Sequence, residues 1–463
     1  MADLSAQNSA GNATSLPASA TLPSQSQRLP TWLCTGYGIG MIGGQIFRDA
    51  PALLLLPFLT DALGVMPVIA GLAIFIPKIW VVFADPLAGI ASDRISTRWG
   101  RRRPFMFVGA LLTVLLLLVM FNVPVFGSAA ATATYVSAAY TLALTAFAAY
   151  SVPYLTMGSE MTTDPHDRTR LMAFRVAFMA TGLIVGGYAA AIRDLGGVGR
   201  EAYSFMALVM GGICLVTMMV PVFATAKAPY YDRHETSLSL FEQFKLALSN
   251  KPFLTLLSAA FLQRLAEGTG YAAIIYFQTL VLKQPPTVLG TSILFIALAG
   301  IFSQPLWVAA CKHFGKKPVY VATLLLYCGA FALWLIPNPA LWLIYLIGTL
   351  NGLFNSAFIL TALSMLTDTV AYDRFKTGLN REGAFNGVWL ASEKVAFAFG
   401  TLIVGALLSA FGYIESSTGV AMEQPESALT GITISYVIVP IVVHLSSLIF
   451  LSRYKLSEQD LKA

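Results

Sequence analysis

The feature that most constrains the fold of this chain is a dense basic cluster between two long apolar runs. Residues 85–105 read DPLAGIASDRISTRWGRRRPF, where an Asp-Pro pair closes one apolar run and a proline precedes the next. Five arginines fall within the ten residues 94–103. An apolar run of about 20 residues spans a bilayer as a helix, and cytoplasmic loops between such helices are enriched in Lys and Arg. The cluster therefore predicts a cytoplasmic loop between two transmembrane helices.

The composition excludes an ordinary soluble protein. Of the 463 residues, 57% are hydrophobic and 11% are charged, whereas a soluble protein carries about a quarter charged residues. The excess apolar surface must face lipid. The net charge of +6 lies in loops, so it indicates topology and not nucleic-acid binding. The four cysteines lie in or beside apolar runs without paired spacing, which favours small core residues over a disulfide or a metal site.

Twelve apolar runs are long enough to cross a membrane. Because the bilayer core offers no water to backbone polar groups, such runs fold as helices. They cover residues 31–60, 66–92, 104–125, 130–158, 170–192, 203–226, 252–282, 288–310, 318–336, 340–371, 383–413 and 428–452. The sequence therefore predicts an all-α membrane protein with twelve transmembrane helices.

The placement of basic residues predicts the orientation. Eighteen Lys and Arg residues lie in the loops after helices 2, 4, 6, 8 and 10, against three in the opposite loops. Because basic residues are retained in the cytoplasm, this asymmetry predicts that both termini are cytoplasmic.

A weak internal repeat divides the chain into two halves. Pro-Leu at 86–87 and Gly-Arg-Arg-Arg-Pro at 100–104 recur as Pro-Leu at 305–306 and Gly-Lys-Lys-Pro at 315–318. Both copies lie between the second and third helices of a six-helix half, a pattern typical of the major facilitator fold with its site between the halves. The predicted organisation is a disordered cytoplasmic tail (1–29), a six-helix bundle (30–226), a cytoplasmic linker with an amphipathic helix (227–251), a second six-helix bundle (252–452) and a cytoplasmic tail (453–463).

Three stretches carry a family resemblance. They are KIWVVFADPLAGIASDRISTRWGRRRPF at 78–105, SVPYLTMGSEMTTDPHDRTRLMAFR at 151–175 and DTVAYDRFKTGLNREGAFNGVWLASEKVAFAFG at 368–400. They resemble the glycoside–pentoside–hexuronide:cation symporters, the melibiose-permease branch of the major facilitator superfamily. The GRRRPF hexad is also similar to sucrose transporters, but the other two stretches are not. The resemblance implies secondary transport of sugars or glycosides coupled to sodium or protons, with a cation site on helices 2 and 4 and sugar contacts on helices 1, 4, 10 and 11.

The resemblance implies a coupling site at Asp85, which occupies the family's helix-2 aspartate before proline. Lys394 stands where the family has its helix-11 lysine, and Asp49 is a further coupling candidate. The alternative for Asp85 is an interfacial charge neutralised by nearby arginines. A sodium ion needs several oxygen ligands, and the positions that supply them in sodium-coupled members are here Val81, Ala84, Ala148 and Ser151. We therefore expect protons as the coupling ion, with no metal and no other cofactor.

Candidate substrate-binding residues are intramembrane polar or charged groups and aromatic residues near the cavity. A charge inside a membrane segment is costly unless it is paired or hydrated, so it indicates function. The candidates are Gln45, Arg48, Tyr150, Tyr154, Arg175, Arg264, Glu267, Tyr271, Trp389 and Glu393. For Arg264 and Glu267, three positions apart on one helix, the alternative is a mutually neutralised pair. For the aromatic residues the alternative is packing or interfacial anchoring.

Charges of the cytoplasmic loops are candidates for gating. They are Asp93, Arg94, Arg101, Arg102, Arg103, Asp164 and Arg168. Ion pairs among them would favour one state of a two-state rocking equilibrium. The alternative is that these charges only set the topology.

The leading hypothesis is a monomeric transporter of the bacterial inner membrane that couples the uptake of a sugar or glycoside to protons, or to another cation, by alternating access. The alternatives are transport of another amphipathic solute such as a lysolipid, and uncoupled facilitation. The sequence contains no Gly-x4-Gly-Lys-Ser/Thr motif for nucleotide binding, which argues against a primary pump. Its four histidines are scattered and do not form an enzyme site. The expected partners are a small solute and the lipid bilayer, without nucleic acid.

Overall fold

The fold of the described residues is all-α. A computed structural model of the chain describes residues 28–95, 97–162, 164–229, 245, 249–378, 381–418 and 422–456. Within these ranges the backbone forms helices and turns, with one isolated bridge between Thr97 and Gly100 in the loop that carries the arginine cluster. The predicted fold class is confirmed.

Twelve long helices among the described residues correspond to the twelve predicted runs. In chain order they are α1 (Thr31–Pro57), α2 (Pro67–Arg94), α3 (Arg103–Phe121), α4 (Ala129–Glu160), α5 (Pro165–Gly187), α6 (Gly199–Ala224), α7 (Lys251–Tyr276), α8 (Pro286–Phe302 and Gln304–Phe314), α9 (Lys316–Ala332), α10 (Leu341–Thr377), α11 (Glu382–Ala410) and α12 (Glu426–Arg453). Wide π-helical turns extend α1 over Phe58–Ala62 and α7 over Phe277–Val281, and another lies inside α12 at Ile434–Ile438. A short helix, Ala189–Leu195, follows α5.

Ten of these helices are long and apolar enough to cross a membrane, and eleven if the bent α8 counts as one span, within the part of the chain that the structure describes. The remaining helix is α7. Its apolar sequence is interrupted by Gln263, Arg264 and Glu267. Charges inside a membrane bundle are tolerated when they are paired or hydrated, so α7 can still belong to the bundle.

The predicted run over 288–310 is not one straight helix, because α8 bends by 47° at Ser303. Pro305 lies in the first turn of the second segment, and its missing N–H removes a hydrogen bond to the preceding turn. The Ser303 hydroxyl lies 2.9 Å from the Ser356 hydroxyl of α10. The bend is therefore fixed against a neighbouring helix.

The two six-helix halves repeat the same packing. In the first half α1 packs against α5 and α6, α3 against α4 and α6, and α2 against α4. In the second half the helices six places later do the same: α7 packs against α11 and α12, α9 against α10 and α12, and α8 against α10. Between the halves α2 packs on α11, α5 on α8 and α1 on α7. The pseudo-symmetry places α1, α7 and the α2–α11 pair at the centre of the molecule.

Parts of the predicted tails and linker fall outside the described residues: residues 1–27, most of the predicted amphipathic helix in 227–251, and residues 457–463. The ordered part of the first half begins before the predicted boundary at residue 30. The Leu29 side chain is buried, its N–H donates to the Asp167 carboxylate at 2.7 Å, and its carbonyl accepts from Arg170 at 2.9 Å.

Candidate functional site

The two halves meet along an antiparallel helix pair, α2 and α11. Lys394 on α11 forms an ion pair with the carboxylate of Asp85 on α2. Two helical turns away, the Lys78 Nζ donates to the Thr401 hydroxyl at 3.1 Å and lies 4.9 Å from the centroid of the Phe397 ring, a favourable position for a cation. The side chains of Asp85 and Lys394 are 25% and 41% exposed. Each half thus contributes one charge to a partly exposed pair at the seam.

A second polar group lies on α1, where it faces α5 and α7. Gln45 Nε2 donates to both oxygens of Asp49, at 3.0 and 2.9 Å, and Asp49 is 6% exposed. Arg48 is exposed and lies within electrostatic reach of Asp49, which is also within reach of Glu267 on α7. The predicted candidates of helices 1 and 7 are therefore close together in space.

A third group joins α7 to α11. Arg264 donates from Nε to Glu393 at 2.9 Å and from Nη1 to Glu267 at 2.5 Å. The predicted i,i+3 pair of Arg264 and Glu267 is therefore present, and Glu393 adds a second carboxylate. The two helices can bring these groups together because they cross at glycines: a Cβ on Gly268 would lie 2.5 Å from the backbone oxygen of Phe397.

The candidate aromatic residues separate into two environments. Tyr150 and Tyr154 are buried inside the first half, and the Tyr154 ring stacks on Tyr37 with centroids 4.5 Å apart. Their packing role, the alternative named above, accounts for them in this conformation. Tyr271 on α7 is half-buried and packs edge-on against Phe397. Trp389 is 3% exposed and lines a small pocket with Arg264, Glu267 and Glu393.

The candidate gating charges pair within the first half. Arg102 is buried; it donates to both carboxylate oxygens of Glu160 at the end of α4, at 3.2 and 2.7 Å, and lies 2.5 Å from Asp93. Arg101 lies 3.7 Å from Asp93 and 3.9 Å from Glu160. Bonds of this kind tie the loop after α2 to the end of α4. They stabilise the half itself, and between the described residues they do not bridge the halves.

The remaining charged candidates lie outside the Arg102 ion pair, and each has its own surroundings. Arg103 donates to the Val222 carbonyl at 2.6 Å, and Arg175 lies beside the sulfur of Met172. Asp164 caps α5 through the N–H of His166. Arg94 ends α2 and is exposed, and the Nε of Arg168 is buried without a hydrogen-bond partner among the described residues. The second half has an equivalent ion pair at the matching position, between Lys316 and Asp368 at 2.6 Å.

The end of the bundle opposite the arginine cluster is closed by hydrogen bonds that sequence reasoning missed. The hydroxyls of Thr60 and Tyr276 lie 2.7 Å apart, and Tyr413 donates to Asp61 at 2.7 Å. The Ser416 N–H donates to the Thr60 carbonyl at 2.9 Å. The sequence offers one local signal for these bonds, the Thr-Asp pair at 60–61 that follows an apolar run. The tyrosines that bond to this pair lie more than 200 positions away in the chain.

The α2–α11 and α5–α8 contacts complete the closure at the same end. The Ser409 hydroxyl accepts from the Val68 N–H at 2.9 Å, and a Cβ on Gly71 would lie 3.4 Å from the Leu402 backbone. The hydroxyls of Tyr188, directly after α5, and of Thr291 on α8 lie 3.2 Å apart. Hydrogen bonds between described residues of the two halves lie here or along the seam down to Asp85. The halves are therefore closed at one end and joined by an ion pair farther along the α2–α11 seam.

The fold and these residues can be compared with known proteins. The model of one family, described as MFS/sugar transport protein, matches residues 36–458. The chain belongs to this family. The transporter is 28% identical over 434 residues to a putative glycoside/cation symporter, YagG, of Escherichia coli K12, with 92% of each chain covered. It is 26% identical over 414 residues to the isoprimeverose transporter of Lactiplantibacillus pentosus, with 88% of this chain and 84% of that protein covered.

A crystal structure has the same fold as the transporter. It is that of a bacterial homolog of the human lysosomal transporter Spinster in an inward-facing, occupied conformation, with a TM-score of 0.65, 13% identity and coverage of 93% of this chain and 97% of that one. The protein is thus a multi-pass transporter of small solutes in the bacterial inner membrane, and its family consists of transporters and not of enzymes. The orientation of its termini stays a prediction.

Proposed function

We propose that this protein is a proton-coupled symporter that carries a sugar or glycoside by alternating access. The observation that supports this most strongly is the ion pair of Asp85 and Lys394, which links α2 of one half to α11 of the other. An unpaired charge within a transmembrane bundle is costly. Protonation of Asp85 would leave Lys394 without its partner and weaken the seam, so proton binding is linked to movement of the halves.

The surroundings of Asp85 favour a proton over sodium. Hard cations are held by several oxygen ligands. By resemblance the supporting positions are Val81, Ala84, Ala148 and Ser151. Ser151 is the one with a side-chain oxygen, while Ala84 and Ala148 are buried and offer none. A proton needs one carboxylate and no shell of ligands.

The polar side chains near the contact of α1 and α7 support a small hydroxylated solute. Polar side chains from both halves meet there: Gln45, Arg48 and Asp49 on α1, with Arg264 and Glu267 on α7. The names of the relatives, a glycoside symporter and an isoprimeverose transporter, agree with a sugar-like substrate. Closure at the opposite end gives the second gate that alternating access requires.

The test is uptake into proteoliposomes of a labelled methyl glycoside that stabilises the purified protein against heat. We expect accumulation under an inward proton gradient and none under a sodium gradient imposed without a pH gradient or membrane potential. Sodium-driven accumulation under the second condition would refute proton coupling. Accumulation under neither gradient, with normal exchange, would favour the uncoupled facilitator.

Transport of an amphipathic solute such as a lysolipid is the second candidate. One observation favours it: a groove of about 250 Å³ between α7, α11 and α12 is lined mainly by Leu257, Phe261, Leu262 and Phe450. Stabilisation of the purified protein by lysophosphatidylglycerol, with no effect of any sugar or glycoside, would select this candidate over the first.

A further inference from the structure

The cluster of Arg264, Glu267 and Glu393 has an excess of negative charge. One guanidinium is bound by two carboxylates, and the hydrogen bonds to Arg264 use one oxygen of each. The side chains are partly exposed, Glu267 by 23% and Glu393 by 21%. With both glutamates ionised the cluster carries one net negative charge and retains carboxylate oxygens that can accept hydrogen bonds.

The neighbouring charges do not reverse this balance. Asp49 on α1 lies within electrostatic reach of Glu267. Arg48 lies within reach of Asp49 and of Tyr271, so α1 contributes one charge of each sign. Lys394, next to Glu393 in the chain, is bound by Asp85. The net charge at this point of the pathway therefore stays negative.

A residue that lines a pocket with the same carboxylates has an unsatisfied donor. Trp389 is 97% buried, and its indole Nε1 has no hydrogen-bond partner among the described residues. A buried N–H without a partner is rare and requires an explanation such as an absent ligand or water. The pocket that Trp389 lines with the three charged residues has a volume of about 20 Å³, which is room for one water-sized group.

We propose that Trp389, Glu267, Glu393 and Arg264 form a hydroxyl-binding subsite of the second half, which selects uncharged sugars over sugar acids. A hydroxyl group fits the pocket in size and in chemistry, because its oxygen accepts from the indole N–H and its hydrogen is donated to a carboxylate. A carboxylate or sulfonate in its place would face two glutamates with one shared counter-charge, and like charges at such distances repel strongly. This inference rests on the proposed sugar transport and adds the class of sugar.

The experiment measures the binding of matched neutral and acidic sugars to the purified full-length protein by calorimetry. The probes are methyl β-D-glucopyranoside, methyl β-D-galactopyranoside and their two uronates. We expect the unaltered protein to bind at least one neutral glycoside more than tenfold more tightly than its uronate. The replacement Trp389→Phe, which keeps the ring and removes the N–H, should weaken the binding of that glycoside about fivefold, the effect of one lost hydrogen bond.

Two further variants separate a subsite from a structural role. Trp334 is a matched control, since its indole Nε1 is also buried without a partner among the described residues but it packs against Phe277 and Tyr436, away from the pocket. Trp334→Phe should change binding less than twofold. Glu393→Gln keeps the shape of the side chain and removes the excess charge, so it should improve binding of the uronate relative to the glycoside about tenfold.

The outcomes distinguish this inference from the function on which it rests. If a uronate binds as tightly as its glycoside, or if Trp389→Phe behaves like Trp334→Phe, sugar binding stands but the subsite is wrong, and the pocket holds only water. If none of the four sugars binds, the proposed sugar function fails together with the subsite. Thermal unfolding of each variant, within a few degrees of the unaltered protein, confirms that the comparison concerns folded protein.

Discussion

Single residues inside the membrane are arranged so that charge is compensated by groups from other helices. The sequence could predict Arg264 with Glu267, because a spacing of three places both on one helix face. It could not predict that Glu393 joins them, since that contact depends on how α7 and α11 cross at Gly268. Asp85 and Lys394 were reached as candidates through family resemblance, and their pairing follows from the α2–α11 seam.

The buried ion pair of Arg102 and Glu160 yields a prediction at this scale. Both side chains are less than 10% exposed, and removal of one partner of a buried pair costs about 3–5 kcal/mol. Because Asp93, which is 56% exposed, still pairs with Arg102, the lower end of this range applies. Glu160→Gln should therefore lower the free energy of unfolding by about 3 kcal/mol. Asp194→Asn is the control, because Asp194 is 46% exposed in its pair with Arg193 and exposed pairs contribute less than about 1 kcal/mol.

The measurement for Glu160 is denaturant unfolding of the purified protein in detergent, followed by the signal of its tryptophans. Equal stability of the Glu160 and Asp194 variants would contradict a structural role for the Arg102 pair. In that case the arginine cluster would only determine the membrane topology.

At the scale of elements, the length and periodicity of the apolar runs were sufficient to predict the helices. The ends and bends of the helices could not be predicted in this way. The run over 288–310 holds a 47° bend because Pro305 removes a backbone bond and Ser303 is fixed to α10. The wide turns at the ends of α1 and α7 have no sequence signal that we can identify. They matter because they position Thr60 and Tyr276, which close one end of the bundle.

The hydrogen bonds at that end should hold the closed state. Removal of two hydroxyls in Tyr276→Phe with Tyr413→Phe eliminates two bonds between the halves, each contributing about 1 kcal/mol. We expect the population of the state that is open at this end to rise more than fivefold. Tyr345→Phe is the control, since its hydroxyl takes part in no hydrogen bond among the described residues.

The populations can be measured as distances between spin labels across this end. Suitable positions are Met66 and Ile414, which are 47% and 43% exposed on the loops of opposite halves, in a background without the four native cysteines. An unchanged distance distribution in the double variant would show that glycine packing between α2 and α11, and not these hydroxyls, holds the end closed.

For the whole molecule, two copies of one packing pattern explain how a few contacts can control transport. Each half has an internal ion pair, Arg102 with Glu160 in the first and Lys316 with Asp368 in the second. Between the described residues, the hydrogen bonds and the ion pair that join the halves are few, and they lie at one end and along the seam where α2 packs on α11. The repeat of 100–104 at 315–318 predicted this symmetry, but nothing in the sequence could predict which end is closed, because that depends on the relative position of the halves.

The orientation of the whole molecule is also open to test. Basic residues flank the end opposite the closed one, so the positive-inside pattern predicts that both termini are cytoplasmic and that the closed end faces the periplasm. A green fluorescent protein fused after residue 463 should fluoresce, and alkaline phosphatase at the same place should be inactive. Active phosphatase would reverse the topology and the assignment of the closed end.

The most direct test of the account is the behaviour of Asp85→Asn in proteoliposomes. A permanently neutral side chain cannot load a proton, but it still lets the halves exchange solute. We predict that the variant loses accumulation of a labelled methyl glycoside under an inward proton gradient and retains counterflow of the same glycoside, while Asp194→Asn keeps both activities. If Asp85→Asn accumulates the glycoside like the unaltered protein, Asp85 is not the coupling site, and Asp49 or Glu267 becomes the next candidate.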